Sequence, residues 1–444
     1  MKTRLSSLMP LAPMLALFIA RPCLATTAVQ FAAATNCNVG VNPVAIAIAD
    51  FNRDGHLDIA TANDSTGDLT ILLGDGQGGF TVKTNYPIGT VPQGVAAGDF
   101  NGDGIPDLIV TRAYGNQAIF LRGLGDGNFA PATYQPLGAS AANGTILVGD
   151  FNNDNKLDFI AACHNVGFSV SLGNGDGTFA TANPKFFSSD ETVAIGDFNG
   201  DGKLDVAVPY QSGKCVSILL GNGDGTFGAA TNYSLVSMPQ TGLSGVVAVA
   251  DLNHDGKLDL VVAEQTATNS LGILLGNGGG GFTTKTNYAL GAGATTIAIG
   301  DLNGDGIPDL VVGTAGSKNV MVMLGNGDGT FGSPVSFPVA NYVEAVAVAD
   351  INGDGQLDIV TANEYGTVSV LLNQTIPRLS ISPAGSQIVL AWPSYAASFQ
   401  LKTTTNCAAA NSWSLAPGTP TTVGNQYLLT NQVDSTVRFY RLQK

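Results

Sequence analysis

Three histidines, two tryptophans and five cysteines are all that 444 residues offer of the side chains that serve most zinc and nucleophilic chemistry. His56 and His254 sit inside acidic stretches and His164 at a hairpin, so neither a Ser/His/Asp or Cys/His set nor a zinc site can be assembled from them. Basic residues are also scarce: 19 Lys and Arg stand against 34 Asp and Glu, for a formal charge of −15. An acidic chain does not attract nucleic acid or anionic lipid, so no nucleic acid and no membrane insertion are expected. The apolar run from Leu8 to Ala20 is too short, and too broken by Pro10 and Pro13, to span a bilayer. With Lys2 and Arg4 before it and Ala25 after it, the run reads as a signal peptide over residues 1–25, which predicts a secreted, extracellular protein. A lipid anchor on Cys23 is the rival, and Arg21-Pro22 is a poor context for one. Of the remaining cysteines, Cys37, Cys163, Cys215 and Cys407, no spacing matches a metal pattern. Isolated thiols are the simpler expectation, with Cys163–Cys215 the one pairing to consider in an oxidising compartment.

What the chain has in abundance is one nine-residue acidic loop, written seven times at intervals of about fifty residues, from DFNRDGHLD at Asp50 to DINGDGQLD at Asp350. Oxygen side chains recur at positions 1, 3, 5 and 9. These are Asp50, Asn52, Asp54 and Asp58; Asp99, Asn101, Asp103 and Asp107; Asp150, Asn152, Asp154 and Asp158; and Asp197, Asn199, Asp201 and Asp205. The last three sets are Asp251, Asn253, Asp255 and Asp259; Asp301, Asn303, Asp305 and Asp309; and Asp350, Asn352, Asp354 and Asp358. Hard oxygen donors on alternate residues suit Ca²⁺, and glycine at position 6 (Asn155 in the third loop) permits the positive-φ turn that wraps a loop round an ion. Loss of Lys2, Arg4 and Arg21 with the signal deepens the charge to −18, and seven divalent cations would bring it back to about −4. The acidity is therefore mostly a metal-site signature. An EF-hand is excluded, because its position-12 Glu is replaced by Thr61 and Val110 in the first two loops. Solvated Asx turns are the bland alternative, and three aspartates crowded into each of seven loops argue against it.

Around each loop the unit reads as strand, acidic loop, strand, polar turn, strand, glycine turn, strand. In the first copy these are Val44 to Asp50, Leu57 to Thr61, Leu69 to Leu73 and Phe80 to Ile88. Four antiparallel strands per fifty residues is the arithmetic of a β-propeller blade. The seventh unit stops after its third strand, at Asn373, while Phe31 to Gly40 aligns without gaps to the fourth strands Phe80 to Gly89 and Phe282 to Gly291. The N-terminal strand is thus expected to complete the last blade and leave no free edge. The predicted architecture is all-β: a seven-bladed propeller over residues 26–376, followed by a small β-sandwich-like module over 377–444 that holds Trp392 and Trp413. Gly74-Asp75-Gly76-Gln77-Gly78-Gly79 formally matches GxGxxG, but it leads into a strand and recurs in most repeats, so it is a hairpin turn.

The acidic loops, with the turns LLGNGDGTFG (Leu219 to Gly228) and MLGNGDGTFG (Met323 to Gly332), resemble the FG-GAP/VCBS repeats of the integrin α-subunit propeller. That resemblance implies Ca²⁺ held by side chains at positions 1, 3, 5 and 9 and by the backbone carbonyl at position 7. The carbonyls would belong to His56, Ile105, Lys156, Lys203, Lys257, Ile307 and Gln356, with about seven Ca²⁺ per chain. It also implies a non-catalytic binding or adhesion role toward an extracellular glycan or protein ligand. A secreted carbohydrate-active hydrolase or lyase on the same scaffold is the alternative. In a four-stranded antiparallel blade the acidic loops and glycine hairpins share one face. The opposite face carries turns that differ between repeats, where Tyr114, Tyr210 and Tyr365 are the candidate ligand-binding residues.

Overall fold

The computed structural model describes residues 29–443 except Thr90, Tyr114 and the segments 139–140, 164–166, 187–191, 211–214, 235–241, 267–269, 376–378, 385–386, 394–398, 406–412, 424–425 and 433–437. The expected signal peptide, Tyr114, His164 and Cys407 lie outside the described residues, as does the side chain of Tyr210.

Among the described residues the chain is all strand and turn, without a helix. Seven four-stranded antiparallel sheets succeed one another. The first is built from Pro43–Ala49, Asp58–Asn63, Asp68–Gly74 and Phe80–Pro87, within one or two residues of the expected strands. Its acidic loop joins the first strand to the second, and its glycine turn joins the third to the fourth. Second strands such as Asp58–Asn63, Asp309–Thr314 and Asp358–Asn363 are buried at every residue. Burial at every residue is what a strand covered on both faces shows, and the polar Thr61 and Asn63 inside Asp58–Asn63 bond to each other.

The covering comes from neighbouring sheets. Leu69 and Ile71 of the first sheet pack on Leu108 and Val110 of the second, and a core of this kind recurs between each successive pair. A further core sets Ile59 and Leu72 of the first sheet against Val360, Val368 and Val370 of the last. The seventh sheet takes its fourth strand from the N-terminus, as the repeat alignment predicts. Thr35–Asn38 runs antiparallel to Thr367–Leu371, pairing Thr35 with Val370 and Cys37 with Val368, and Phe31 bridges Asn373. Each pair of adjacent sheets is thus joined by a buried core, and the edge of the last sheet is covered.

Where the chain is interrupted in the seventh sheet, one side chain replaces a glycine. In six sheets the residue that opens the glycine hairpin approaches the eighth-position carbonyl of its own acidic loop. A Cβ on Gly74, Gly173 or Gly221 would stand 2.2 Å from the carbonyl oxygen of Leu57, Leu157 or Leu204. The seventh sheet has Asn373 there, and its Nδ2 donates to the Leu357 carbonyl at 3.0 Å, the equivalent oxygen, and to the Leu302 carbonyl of the preceding sheet at 2.7 Å.

Residues 380–443 form a separate four-stranded and a three-stranded sheet around Leu390, Trp392, Leu401, Leu429 and Leu442. Cys37, Cys163 and Cys215 are free thiols, so the considered Cys163–Cys215 bond is not formed, and burial pushes the Cys163 thiol up to about 12.

Candidate calcium loops and the opposite face

Each acidic loop is wound by its own backbone amides. In the first, Asp50 Oδ2 accepts from Gly55 N at 2.9 Å, Asn52 Oδ1 from Asp54 N at 2.9 Å and Asp54 Oδ1 from His56 N at 2.9 Å. The fourth and sixth loops repeat the pattern with Asp197, Asn199 and Asp201, and with Asp301, Asn303 and Asp305. Position 6 has positive φ throughout the loops where it is recorded, +87° at Gly55 and +61° at Asn155. Asparagine, the non-glycine residue best suited to that region, therefore keeps the third loop in register. Position 4 is also left-handed, at Arg53 (+60°), Asn153 (+57°) and His254 (+58°). The signal for this lies in the other four loops, whose position 4 is Gly102, Gly200, Gly304 or Gly353, all with positive φ.

The ninth-position aspartates have a second role that the sequence reading missed. Asp58, Asp107, Asp158, Asp205, Asp259, Asp309 and Asp358 are all fully buried. In the fourth loop Asp205 Oδ2 accepts from Phe198 N at 2.9 Å and Oδ1 from Gly221 N at 2.7 Å, so one carboxylate clips position 2 of the loop to the glycine hairpin. Position 2 carries the link onward. Its apolar side chain is buried, and the Phe51 carbonyl accepts from Gly127 N in the next sheet's hairpin at 3.0 Å, with Phe100–Gly177 and Phe151–Gly225 doing the same. Edge-to-face contacts of Phe51 with Phe129 and Phe198 with Phe282 support the joint. The acidic loop of one sheet therefore fixes the hairpin of the next.

This arrangement crowds negative charge. Burial raises every ninth-position carboxyl, the backbone N–H bonds lower it, and the carboxylates at positions 1 and 5 raise it again; Asp107 and Asp158 reach about 6, Asp309 and Asp358 about 7. In three loops the position-7 lysine moves in: Lys156, Lys203 and Lys257 place Nζ 3.4, 3.7 and 3.5 Å from the fifth-position carboxylates of Asp154, Asp201 and Asp255. In the first and sixth loops an asparagine amide does so, Asn52 to Asp54 at 2.8 Å and Asn303 to Asp305 at 3.1 Å. Among the described residues no three His, Cys, Asp or Glu side chains close into a metal cluster. The donor set nonetheless fits Ca²⁺. Every donor is a hard oxygen, the loop is pre-wound by amides, and the fifth-position oxygen attracts whichever cationic or N–H group is near.

The two uses of the loop carboxylates can be separated by mutation. Asp205→Ala leaves two buried N–H donors unmatched at about 1–3 kcal/mol each, and should lower the unfolding free energy with or without Ca²⁺. Asp201→Ala should lower the melting temperature in Ca²⁺ and leave it unchanged in chelator. Thermal melts of both variants in the two buffers check this, and equal losses for Asp201→Ala in both would contradict it.

On the opposite face, Tyr365 is the one candidate tyrosine whose side chain is described. It is 63% exposed, sits at φ +69°, and tilts against Tyr342 with ring centroids 6.4 Å apart. The neighbouring Glu364 carboxylate raises its hydroxyl pKa. Tyr210 ends the strand Asp205–Tyr210, so it belongs to the strand terminus and not to the loop tip. Residues in or just before the first strands of the seven repeat sheets line a common axial cavity of about 420 Å³, which lies toward this face.

The FG-GAP-like repeat family profile matches residues 50–110, 99–161, 150–208, 197–262, 251–312 and 301–361. No curated protein matches the sequence. Solved structures share the fold at low identity. An Agrocybe aegerita lectin that specifically recognises non-reducing terminal N-acetylglucosamine is 21% identical, with 76% of this chain and 87% of that one covered and a TM-score of 0.51. BBS1N, solved in complex with ARL6DN, is 13% identical over 77% of this chain and 96% of its own, at TM-score 0.55. The periplasmic gluconolactonase PpgL of Pseudomonas aeruginosa is 16% identical over 67% and 86%, at TM-score 0.50.

Proposed function

The chain belongs to the FG-GAP-like repeat family, a β-propeller repeat fold, and from that membership we propose that it is an exported, calcium-stabilised, seven-bladed propeller that binds an extracellular glycan or protein without catalysis. The small sheets at residues 380–443 are then an appended module. The observation that carries this reading is the division of labour between faces. Every acidic loop is tied to a hairpin by the same hydrogen bonds, which suits scaffolding, whereas the turns opposite differ from sheet to sheet and expose Tyr365. A single ligand needs such a break in ring symmetry, and a tyrosine supplies a flat apolar surface with a polar tip. The lectin and BBS1N are each binding proteins by the descriptions they carry, and both support a binding role on this scaffold.

The hydrolase alternative would require two carboxylates flanking a bound sugar. Among the described residues lining the axial cavity Glu344 is the one carboxylate, which supports the binding reading. A glycan array, run in millimolar Ca²⁺ and again in chelator, is the direct test. Binding should appear in Ca²⁺, be lost in chelator, and weaken about tenfold in Tyr365→Ala, the scale of one aromatic contact. Unaltered binding in Tyr365→Ala, together with loss on mutating the acidic-loop face, would put the site on the other side of the ring.

A further inference from the structure

The axial cavity has a chemistry of its own. Four of its lining residues, Val44, Gln93, Thr295 and Glu344, are the extra residues of β-bulges at the start of first strands, where pairing slips between Pro43 and Ala45, Pro92 and Gly94, Ala294 and Thr296, and Val343 and Ala345. Bulges re-aim side chains at functional sites. Here they break the repeat, with one apolar group, one amide, one hydroxyl and one carboxylate at equivalent places round the axis.

The hydroxyls are held. Thr295 Oγ1 donates to the Val343 carbonyl at 2.8 Å, and Thr192 Oγ1 donates to the Gly245 carbonyl, each tying its own sheet to the next. Because those hydrogens are committed, these two oxygens can offer only lone pairs to anything in the cavity. Glu344 adds a half-buried carboxylate. Burial and the nearby negative charge of Glu364 raise its pKa. The rest of the wall is Val, Ile, Leu and Ala with the amide of Gln93 and two further threonines, Thr145 and Thr296, of which Thr296 Oγ1 accepts from Val346 N at 3.3 Å. A pocket of about 420 Å³ lies in the range of small-molecule sites. Among the described residues it combines acceptor oxygens, one carboxylate and apolar walls.

We propose that the axial cavity is a binding site for a small primary ammonium compound, with the ammonium group at Glu344 and its N–H donors shared with the threonine oxygens. This site is separate from the calcium loops, which lie at the other ends of the first strands, and from the rim tyrosines. It stands whether or not the proposed glycan or protein partner is found.

The test uses the full chain in saturating Ca²⁺, titrated calorimetrically with glucosamine and n-butylammonium, and with glucose and n-butanol as their neutral counterparts. At least one ammonium probe should bind one to one, at least about tenfold more tightly than its counterpart, as expected of a charge-assisted bond. Glu344→Gln should remove that preference. Methyl NMR shifts at Val44, Ile146 and Ile297 on adding the bound probe provide a readout that needs no variant. Failure of both ammonium probes to saturate at about 10 mM, equal affinity for the neutral compounds, an unchanged affinity in Glu344→Gln, or shifts confined to residues outside the cavity would each overturn the proposal.

Discussion

Deleting residues 26–40 should lower the melting temperature by about 10 °C or more and drive the protein toward aggregation. The deletion removes the whole fourth strand of the last sheet, with its four paired residues opposite Thr367–Leu371. It also removes Val29, buried in the core between the last two sheets, and the packing of Cys37 and Val39 against the core between last and first. Burial of the valine alone is worth about 1.5 kcal/mol or more. Ser369 Oγ loses its 2.7 Å bond to Asn36, and Thr375 its 2.9 Å bond from Gln30 N. The larger effect is the exposed edge, since an unpaired strand with free N–H and C=O groups templates association. Light scattering and a thermal melt measure both consequences. A truncated protein that stays monomeric and melts with the full chain would show that the strand contributes nothing to the ring.

Removing calcium should have an effect of comparable size. A site held at 100 times its dissociation constant contributes about 2.7 kcal/mol, so even three such sites are worth about 8 kcal/mol if they act independently. The loops do not act on their own sheets alone, because the position-2 carbonyls of the first four each hold the hairpin of the next sheet, and that of the sixth holds Asn373. Chelation should therefore loosen the joints between sheets, and a melt in EDTA should fall by more than about 10 °C relative to millimolar Ca²⁺. Superimposable melts would mean that backbone amides alone suffice to hold the loops.

Much of this was legible in the sequence because it is written seven times. Repetition turned weak local signals, an Asp-rich turn or a four-residue strand, into an all-β repeat with a definite period, and the match of Phe31 to Gly40 with later fourth strands located the pairing of the N-terminal strand. What escaped was set by tertiary contact. Nothing in DFNGDGKLD distinguishes Asp205, whose two oxygens close a buried backbone joint, from Asp201, which faces solvent. Asn373 ends the third strand in sequence, and its amide bonds two carbonyls that a glycine hairpin only approaches or reaches by its N–H in other sheets. Glu344 belongs to no motif, and only the bulge beside it shows why it faces the axis. A signal did exist for Glu344: it lies six residues before its acidic loop, as do Val44, Gln93 and Thr295, and these four differ as a symmetric scaffold would not require.

The most direct test of the central claim is a calcium count. Protein stripped with chelator and titrated calorimetrically with Ca²⁺ should take up about seven ions per chain, as seven oxygen-rich loops demand. The variants Asp50→Ala and Asp301→Ala should each lower that number by one. A count near zero, or one that neither substitution changes, would contradict a calcium-loaded ring.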